Sequence, residues 1–508
     1  MNKFVKIVGA VAIINIVARF FGFLREMIIG FQYGTGHISD SIFTAYMIPN
    51  FLYLVVGGAF TTVFISIYNR EATDKGLFVK QSYTIVVVSA IIMTLIGMAF
   101  ANPILESFNT GKAVSEDQMA LTRNLYLWMM PSSIFLVLSS WYSGLLNVNQ
   151  RFHLSSFAIL FYNAIFLVIA VVLSETTIGP MGYGISALVS AVLMVYFLVI
   201  GYRKLDSFKV GFSFKHNVST KELWIMVVPI MLGGATIQLY ALLQRYVAGL
   251  LSLEGAVSSV NYASKLMQFP QAILITAVTT VIYPILSHKE AENDHASIKS
   301  LYSKGLQYLF LLLIPVTIYS YFYSTNLIQV VFEYNKFDAK ATAITAPVLA
   351  VFVLSMYFLA ANTYITRFYY AKGDSMAPVI FSLLNVFGVN IGAIFLLVGS
   401  TGVVSIAWGT LISSIVNFIM LIVYASFKYD LKMGIFSKDL QFFRAMPPMI
   451  IITIVMYFSS KYLVFEYKWI TFIVGLVIFS AVLVGSFLLF GVKEVKEFSD
   501  KLKKKFLK

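Results

Sequence analysis

"FVKIVGAVAIINIVARFFGFLREMIIGFQY", residues 4–33, decides the class of this chain. Only Lys6, Arg19, Arg25 and Glu26 are charged in it; the rest is overwhelmingly apolar. About 20 apolar residues in a helix cross a bilayer core roughly 30 Å thick. Within lipid the backbone must satisfy its own hydrogen bonds, so such a stretch is a helix. It continues past Arg19 with no clear small-x-small cleavage site, so it is expected to be a first span rather than a removed signal.

The pattern recurs along all 508 residues, which are 59% hydrophobic and 12% charged. Soluble domains carry about 25% charged residues. Fourteen stretches of spanning length are read: 4–33, 41–68, 83–100, 121–146, 154–173, 181–200, 223–251, 257–287, 306–323, 344–365, 378–397, 403–427, 445–462 and 469–490. The fold class is therefore an all-α polytopic membrane protein.

The 37 Lys and Arg residues orient it. With the N-terminus in the cytoplasm, 27 fall in inner segments and five in outer loops (Lys112, Lys336, Lys340, Lys461, Lys468). Arg19, Arg25, Arg123, Arg245 and Lys265 fall within or at the edge of spans. This asymmetry predicts both termini inside. The net charge of +14 is thus mostly a topology signal and calls for no nucleic acid. In the tail, 492–508, Val492, Val495, Phe498, Leu502 and Phe506 fall at helical spacing among lysines, which suits a helix lying on an anionic inner leaflet.

The longest polar break, 203–222, reads as a cytoplasmic linker. It separates an N-terminal lobe of six spans (1–202) from a C-terminal lobe of six (223–427), with two additional spans in 428–491. "TTVFI" (61–65) and "TTVIY" (279–283) each follow a proline, Pro49 and Pro270, a faint echo between the lobes.

Enzyme chemistry finds little footing. There is no cysteine, which excludes disulfides, Cys-ligated zinc and a thiol nucleophile. The five histidines are scattered, with neither HExxH nor a phosphate loop of the GxxxxGK[ST] kind. No cofactor and no metal site are expected.

The intramembrane charges carry the functional signal. Each costs at least about 2.5–3.5 kcal/mol facing lipid, so Arg19, Arg25 and Lys265 together cost on the order of 8 kcal/mol unless solvated or paired. Arg19 and Glu26 are two helical turns apart and share a face, while Arg25 points away by roughly 120°. Gly22 between them leaves room for another helix or a ligand. On a structural reading Arg19 pairs with Glu26 or Asp40 and Arg25 reaches the outer interface. On a functional reading Arg19, Arg25 and Lys265, with Arg245 adding to them, outweigh Glu26 and Asp40 in a hydrated cavity. Guanidinium groups grip phosphate in a bidentate fork, so such a cavity suits a diphosphate. Asn15, Asn50, Asn163, Gln268, Asn385 and Asn390 either line it or bond helix to helix. Pro49 and Pro270 remove backbone bonds in mid-span and are candidates for bends.

These residues resemble a known family. Arg19, then Gly22-Phe23-x-Arg25, a Gly34-x-Gly36 turn, Asp40, Pro49-Asn50 and Gly58-Ala59-Phe60 match the opening of the MurJ (MviN) family of lipid II flippases, within the multidrug, oligosaccharidyl-lipid and polysaccharide exporter superfamily. The block "YASKLMQFPQAILITAVTTVIYPILS" (262–287) looks like its eighth span. The resemblance implies two lobes around a central cavity, two C-terminal helices bordering a groove for a lipid tail, and alternating access. It implies a polyprenyl-diphosphate glycolipid, lipid II, as cargo carried from inner to outer leaflet of a bacterial cytoplasmic membrane, with cell-wall synthesis proteins as candidate partners. Arg19, Arg25, Asp40 and Lys265 map onto the family's cavity residues. Departures are Tyr53 and Leu54 where two arginines are common, and Gly57 where a glutamate is common. The seventh and eleventh spans carry no Asp or Glu, so the sodium site of some members is not expected. The alternatives are a flippase for another polyprenyl-diphosphate oligosaccharide and a non-transporting scaffold for envelope assembly.

Overall fold

A computed structural model describes residues 3–70, 74–108, 114–203, 209–215, 218–251, 253–292, 294–432 and 442–492. Every regular element among them is helical. In chain order the long helices are α1 (Lys3–Tyr33), α2 (His37–Arg70), α3 (Lys75–Ala99), α4 (Glu116–Val148), α5 (Phe152–Ser174), α6 (Met181–Arg203), α7 (Val218–Leu250) and α8 (Ala256–Ala291). They continue with α9 (His295–Phe322), α10 (Ala339–Leu354 and Met356–Ala371, bent by 42°), α11 (Met376–Thr401), α12 (Val404–Tyr429), α13 (Phe442–Tyr462) and α14 (Lys468–Leu489).

Among the described residues nine of these are long and apolar enough to cross a membrane, ten if the bent α10 is one span. The other four, α1, α7, α8 and α13, run 31, 33, 36 and 21 residues, about 30 Å or more at 1.5 Å per residue. To within a residue, each of the fourteen apolar stretches read from the sequence lies on one of these helices. The basic tail beyond residue 492 and parts of the linker lie outside the described residues.

Helix starts follow from local chemistry. A helix leaves its first amides without partners, and short polar side chains supply them. Asp74 accepts from the Leu77 amide at 2.8 Å to open α3, and Ser115 from Gln118 at 3.1 Å to open α4. Asp294 accepts from Ser297 at 3.0 Å before α9, and Asp338 from Ala341 at 2.8 Å before α10.

The chain forms two compact units, residues 1–261 and 262–508. The division therefore falls in the second turn of α8 and not in the polar linker at 203–222. The reason is packing: α7, which follows the linker, lies along α2, and Arg70 at the end of α2 pairs with Glu222 at the start of α7 at 2.7 Å. In the first unit α5 lies against α1 and α6, and α4 against α2, α3 and α6. In the second, α12 packs on α10 and α11, and α9 on α10 and α13. Charged side chains tie its helix ends: Lys372 to Glu290 at 3.0 Å, Lys428 to Asp374 at 2.9 Å, and Lys299 to Asp430. Burial alone would raise the Asp374 carboxyl. The Tyr429 hydroxyl, the Ala377 amide and Lys428 outweigh it and hold the group below the usual carboxylate range.

Two helices change pitch in mid-course. α2 widens to a π-helix at Leu52–Gly57, just after Pro49, and α11 does so at Asn385–Asn390. Proline at 49 has no N–H to offer and clashes with the preceding turn, so the ladder shifts register there. Pro270, by contrast, sits inside an α8 that stays α-helical throughout.

One close approach fixes the second unit's core. Buried Tyr364 donates to the Leu301 carbonyl at 2.8 Å and lies against Gly305, where any Cβ would meet its hydroxyl and ring. Gly305→Ala is expected to destabilise the protein by about 1–3 kcal/mol, the range for overpacking. Thermal unfolding in detergent measures this, and the Gly305→Ala/Tyr364→Leu double variant should lose less than the sum of the two single changes.

Candidate functional site

The C-terminal half of α1 places Arg25 and Glu26 against α2, α5 and the start of α8. Arg25 Nη2 lies 3.0 Å from Glu26 Oε1, with side chains only 13% and 4% exposed. The Arg25 guanidinium sits 4.9 Å from the centre of the Tyr46 ring and 5.0 Å from that of Phe166. Such contacts with the ring faces stabilise the cation where water is scarce. Tyr46 and Tyr162 share a hydroxyl–hydroxyl bond of 3.0 Å beside it.

Glu26 uses its second oxygen as well. Asn261 Nδ2 donates to Glu26 Oε2 at 2.9 Å, and Arg245 Nη2 on α7 donates to Asn261 Oδ1 at 2.9 Å. Arg245 also stands 5.6 Å over the Phe43 ring. Its Nη1 is buried with no hydrogen-bond partner among the described residues. The order Arg25–Glu26–Asn261–Arg245 thus joins α1, α8 and α7 through one carboxylate and one amide.

Asp40, near the start of α2, is 6% exposed and meets no arginine at hydrogen-bond distance. It accepts from the Gly255 amide at 3.0 Å and the Ser258 amide at 2.7 Å, so it caps α8. A carboxylate at a helix N-terminus is favoured by the helix dipole as well as by the bonds. Gly255 makes the approach possible. Its φ is +79°, and a Cβ there would lie 3.0 Å from Thr35 Cβ and 3.1 Å from the Thr35 carbonyl carbon. A side chain would separate the turn before α2 from the turn before α8.

Arg19 differs from all of these. It lies about 10 Å along α1 from Glu26, is exposed, and has no hydrogen bond or ion pair among the described residues. The expected pairing of Arg19 with Glu26 or Asp40 does not occur, because Arg25 and Asn261 occupy the first and backbone amides the second. Arg25, for its part, is not an exposed cation at a helix end; it turns onto Glu26. Gly22 is not a point of tight approach, since a Cβ there would meet Asn163 only at 3.8 Å, ordinary contact.

Of the other sequence candidates, Pro49 is buried and Asn50 half-buried on α2. In the second unit Lys265 and Pro270 are half-buried on α8, and Gln268 is exposed. Asn163, Asn385 and Asn390 bond helix to helix: Asn163 to the Ala18 carbonyl at 3.3 Å, Asn385 to Asn417 at 3.3 Å and Asn390 to Ser413 at 3.4 Å. Sequence reasoning passed over Asn261, Tyr46, Phe166 and Ser258. Asn261 was visible in principle, as an amide one helical turn before Lys265.

The family model described as "Lipid II flippase MurJ" matches residues 32–481. The chain belongs to the MurJ family. A relative from Rickettsia prowazekii (strain Madrid E), "Probable lipid II flippase MurJ", is 25% identical over 488 residues, 92% of this chain and 95% of its own. "Lipid II flippase MurJ" from Burkholderia cenocepacia is 27% identical over 378 residues, 72% of this chain and 73% of its own. Among solved structures, one titled "Lipid II flippase MurJ, inward closed conformation" has a TM-score of 0.80 at 20% identity, covering 98% of this chain and 99% of that one. A multidrug resistance MATE family transporter has a TM-score of 0.70 at 13% identity, covering 82% and 98%. The MurJ fold thus extends over the whole chain, and MATE transporters share most of it.

Proposed function

We propose that this MurJ-family protein carries lipid II, a polyprenyl-diphosphate glycolipid, from the inner to the outer leaflet of the bacterial cytoplasmic membrane by alternating access. The observation that carries the reading is Arg19: an exposed guanidinium near the middle of a 31-residue apolar helix, without a carboxylate partner among the described residues. A cation held there at a cost of about 2.5–3.5 kcal/mol on insertion scales needs water and an anion. A diphosphate supplies the anion, in the geometry a guanidinium fork prefers. Arg25 and Glu26 neutralise each other, so the first unit offers an anion Arg19 together with the buried Nη1 of Arg245, which has no hydrogen-bond partner among the described residues.

The network on Glu26 and the cap on Asp40 supply the second half of the reading. Both hold the beginning of α8 to α1, α2 and α7 at the outer end. A movement of the start of α8 away from α1 and α2 would break those bonds, and a bound headgroup that draws Arg25 or Arg245 away from its partners lowers that cost.

Translocation is proposed to be driven by the membrane potential. Moving two negative charges outward across 100 mV, interior negative, is favourable by roughly 4–5 kcal/mol. An ionophore that collapses the potential should therefore slow the appearance of lipid II in the outer leaflet. Undiminished flipping would overturn the electrical mechanism. Depletion of the protein should make lipid II accumulate in the inner leaflet; accumulation of a different lipid-linked sugar would assign the cargo to another pathway.

A further inference from the structure

The polar linker contains a segment that is firmly held yet presents its aromatic residues outward. Residues 209–215, "KVGFSFK", lie along α3. The Ser213 amide donates to Thr84 Oγ1 at 2.8 Å, and Gln81 Nε2 donates to the Lys215 carbonyl at 2.7 Å. The Phe212 ring stands 5.3 Å from Tyr83, edge-on, continuing a series that runs through Tyr83 to buried Trp141 at 5.3 Å. Three contacts over four residues fix the segment in place. Even so, Phe212 is 60% and Phe214 74% exposed, and Lys209 and Lys215 at either end are exposed too. Neither lysine has an acidic partner among the described residues.

The position of the segment on α3 identifies what those rings meet. Lys80 is the last charge before residues 81–100, which contain none. The segment therefore sits on the first turn of the apolar run, at the depth where a bilayer's headgroups give way to acyl chains. Thr84, Val88, Ile91 and Leu95 follow one face of α3 at helical spacing. Val88, Ile91 and Leu95 are 39%, 38% and 60% exposed. The segment covers the inner end of this apolar stripe, so Phe212 and Phe214 extend the same outward surface. Its irregular backbone excludes the hydrocarbon core, where its amides would lack partners. Rings with flanking lysines at this depth match a lipid that offers acyl chain and negative headgroup together.

We propose that residues 209–215 form a docking strap for anionic phospholipid, with Phe212 and Phe214 against the acyl chains and Lys209 and Lys215 on the phosphate. The strap joins the linker between α6 and α7 to the leaflet beside it, so leaflet charge would bear on the linker directly.

Because the native chain has no cysteine, a single Phe214→Cys substitution carries a nitroxide without background. In vesicles of phosphatidylethanolamine with phosphatidylglycerol, the label should be more accessible to oxygen than to a water-soluble nickel chelate. A label at Lys215→Cys should show the reverse. Replacing phosphatidylglycerol by phosphatidylcholine should raise nickel access at position 214, and Lys209→Glu/Lys215→Glu should abolish that dependence. At about 1 kcal/mol per lysine the docked-to-undocked ratio should change roughly thirty-fold. Nickel access equal to that of a water-exposed loop would overturn the proposal. So would shielding from both reagents, the sign of a protein partner or second copy, or lipid exposure that ignores headgroup charge.

Discussion

Arg19→Ala is expected to abolish lipid II translocation, and with it complementation of a flippase-depleted cell, while the protein reaches the membrane in normal amount. The two halves of that expectation have separate causes. Arg19 makes no hydrogen bond or ion pair among the described residues, so its removal breaks nothing in the fold. It also relieves an insertion cost of about 2.5–3.5 kcal/mol. Binding suffers instead. Two charge-assisted bonds from one guanidinium to a diphosphate, at about 1.5–3 kcal/mol each, correspond to a loss of at least 100-fold in affinity. Arg19→Lys keeps the charge but not the fork, so it should retain partial activity. Transport assays on both variants, normalised to membrane content by immunoblot, check this. An active, normally expressed Arg19→Ala protein would favour a scaffold over a transporter.

Glu26→Ala should have the largest effect on stability. It removes the carboxylate paired with the Arg25 guanidinium between Tyr46 and Phe166, and the bond that Asn261 Nδ2 donates to Glu26. Removing one partner of a buried pair costs about 3–5 kcal/mol, because the remaining charge has neither water nor an opposite charge. For a unit of this size that lowers the melting temperature by about 10 °C. Glu26→Gln should cost less, since its oxygen still accepts from Asn261. Arg25→Met/Glu26→Leu should recover most of the loss, as removal of both charges eliminates the desolvation that the pair offsets. Melting curves of the purified variants with one lipid and detergent check the order. If Glu26→Ala melts with the wild type, the Arg25–Glu26 pair is not a structural lock.

The helices were legible because fourteen long apolar runs in a chain with 12% charge leave the backbone no other choice. Asp74, Ser115, Asp294 and Asp338 fix helix starts by capping locally, a signal the apolar runs alone do not carry. Partners were not legible. Helical spacing correctly put Arg19 and Glu26 on one face, but a long arginine side chain next door, together with an asparagine 235 residues away, claimed the carboxylate. Asp40 read as a counter-ion because it is an acid beside arginines. Its partners are backbone amides 215 and 218 residues on, and an amide leaves no charge or polar side chain in the sequence to mark it as a partner. The π-helical segments were equally hidden: Pro49 stands one turn before the first, but the second, Asn385–Asn390, has no proline in the turn before it. The first compact unit runs past the polar linker, to residue 261. A polar linker advertises a break in the chain, whereas packing of α7 on α2 overrides it.

The most direct test of the central claim is a leaflet-sidedness measurement with purified components. Proteoliposomes containing labelled lipid II and this protein, under an imposed interior-negative potential, are treated with an impermeant reagent that destroys only outward-facing headgroups. Lipid II initially confined to the inner leaflet should become reactive within minutes, and vesicles carrying Arg19→Ala should match protein-free ones. Equal rates for wild type, Arg19→Ala and empty vesicles would contradict that claim.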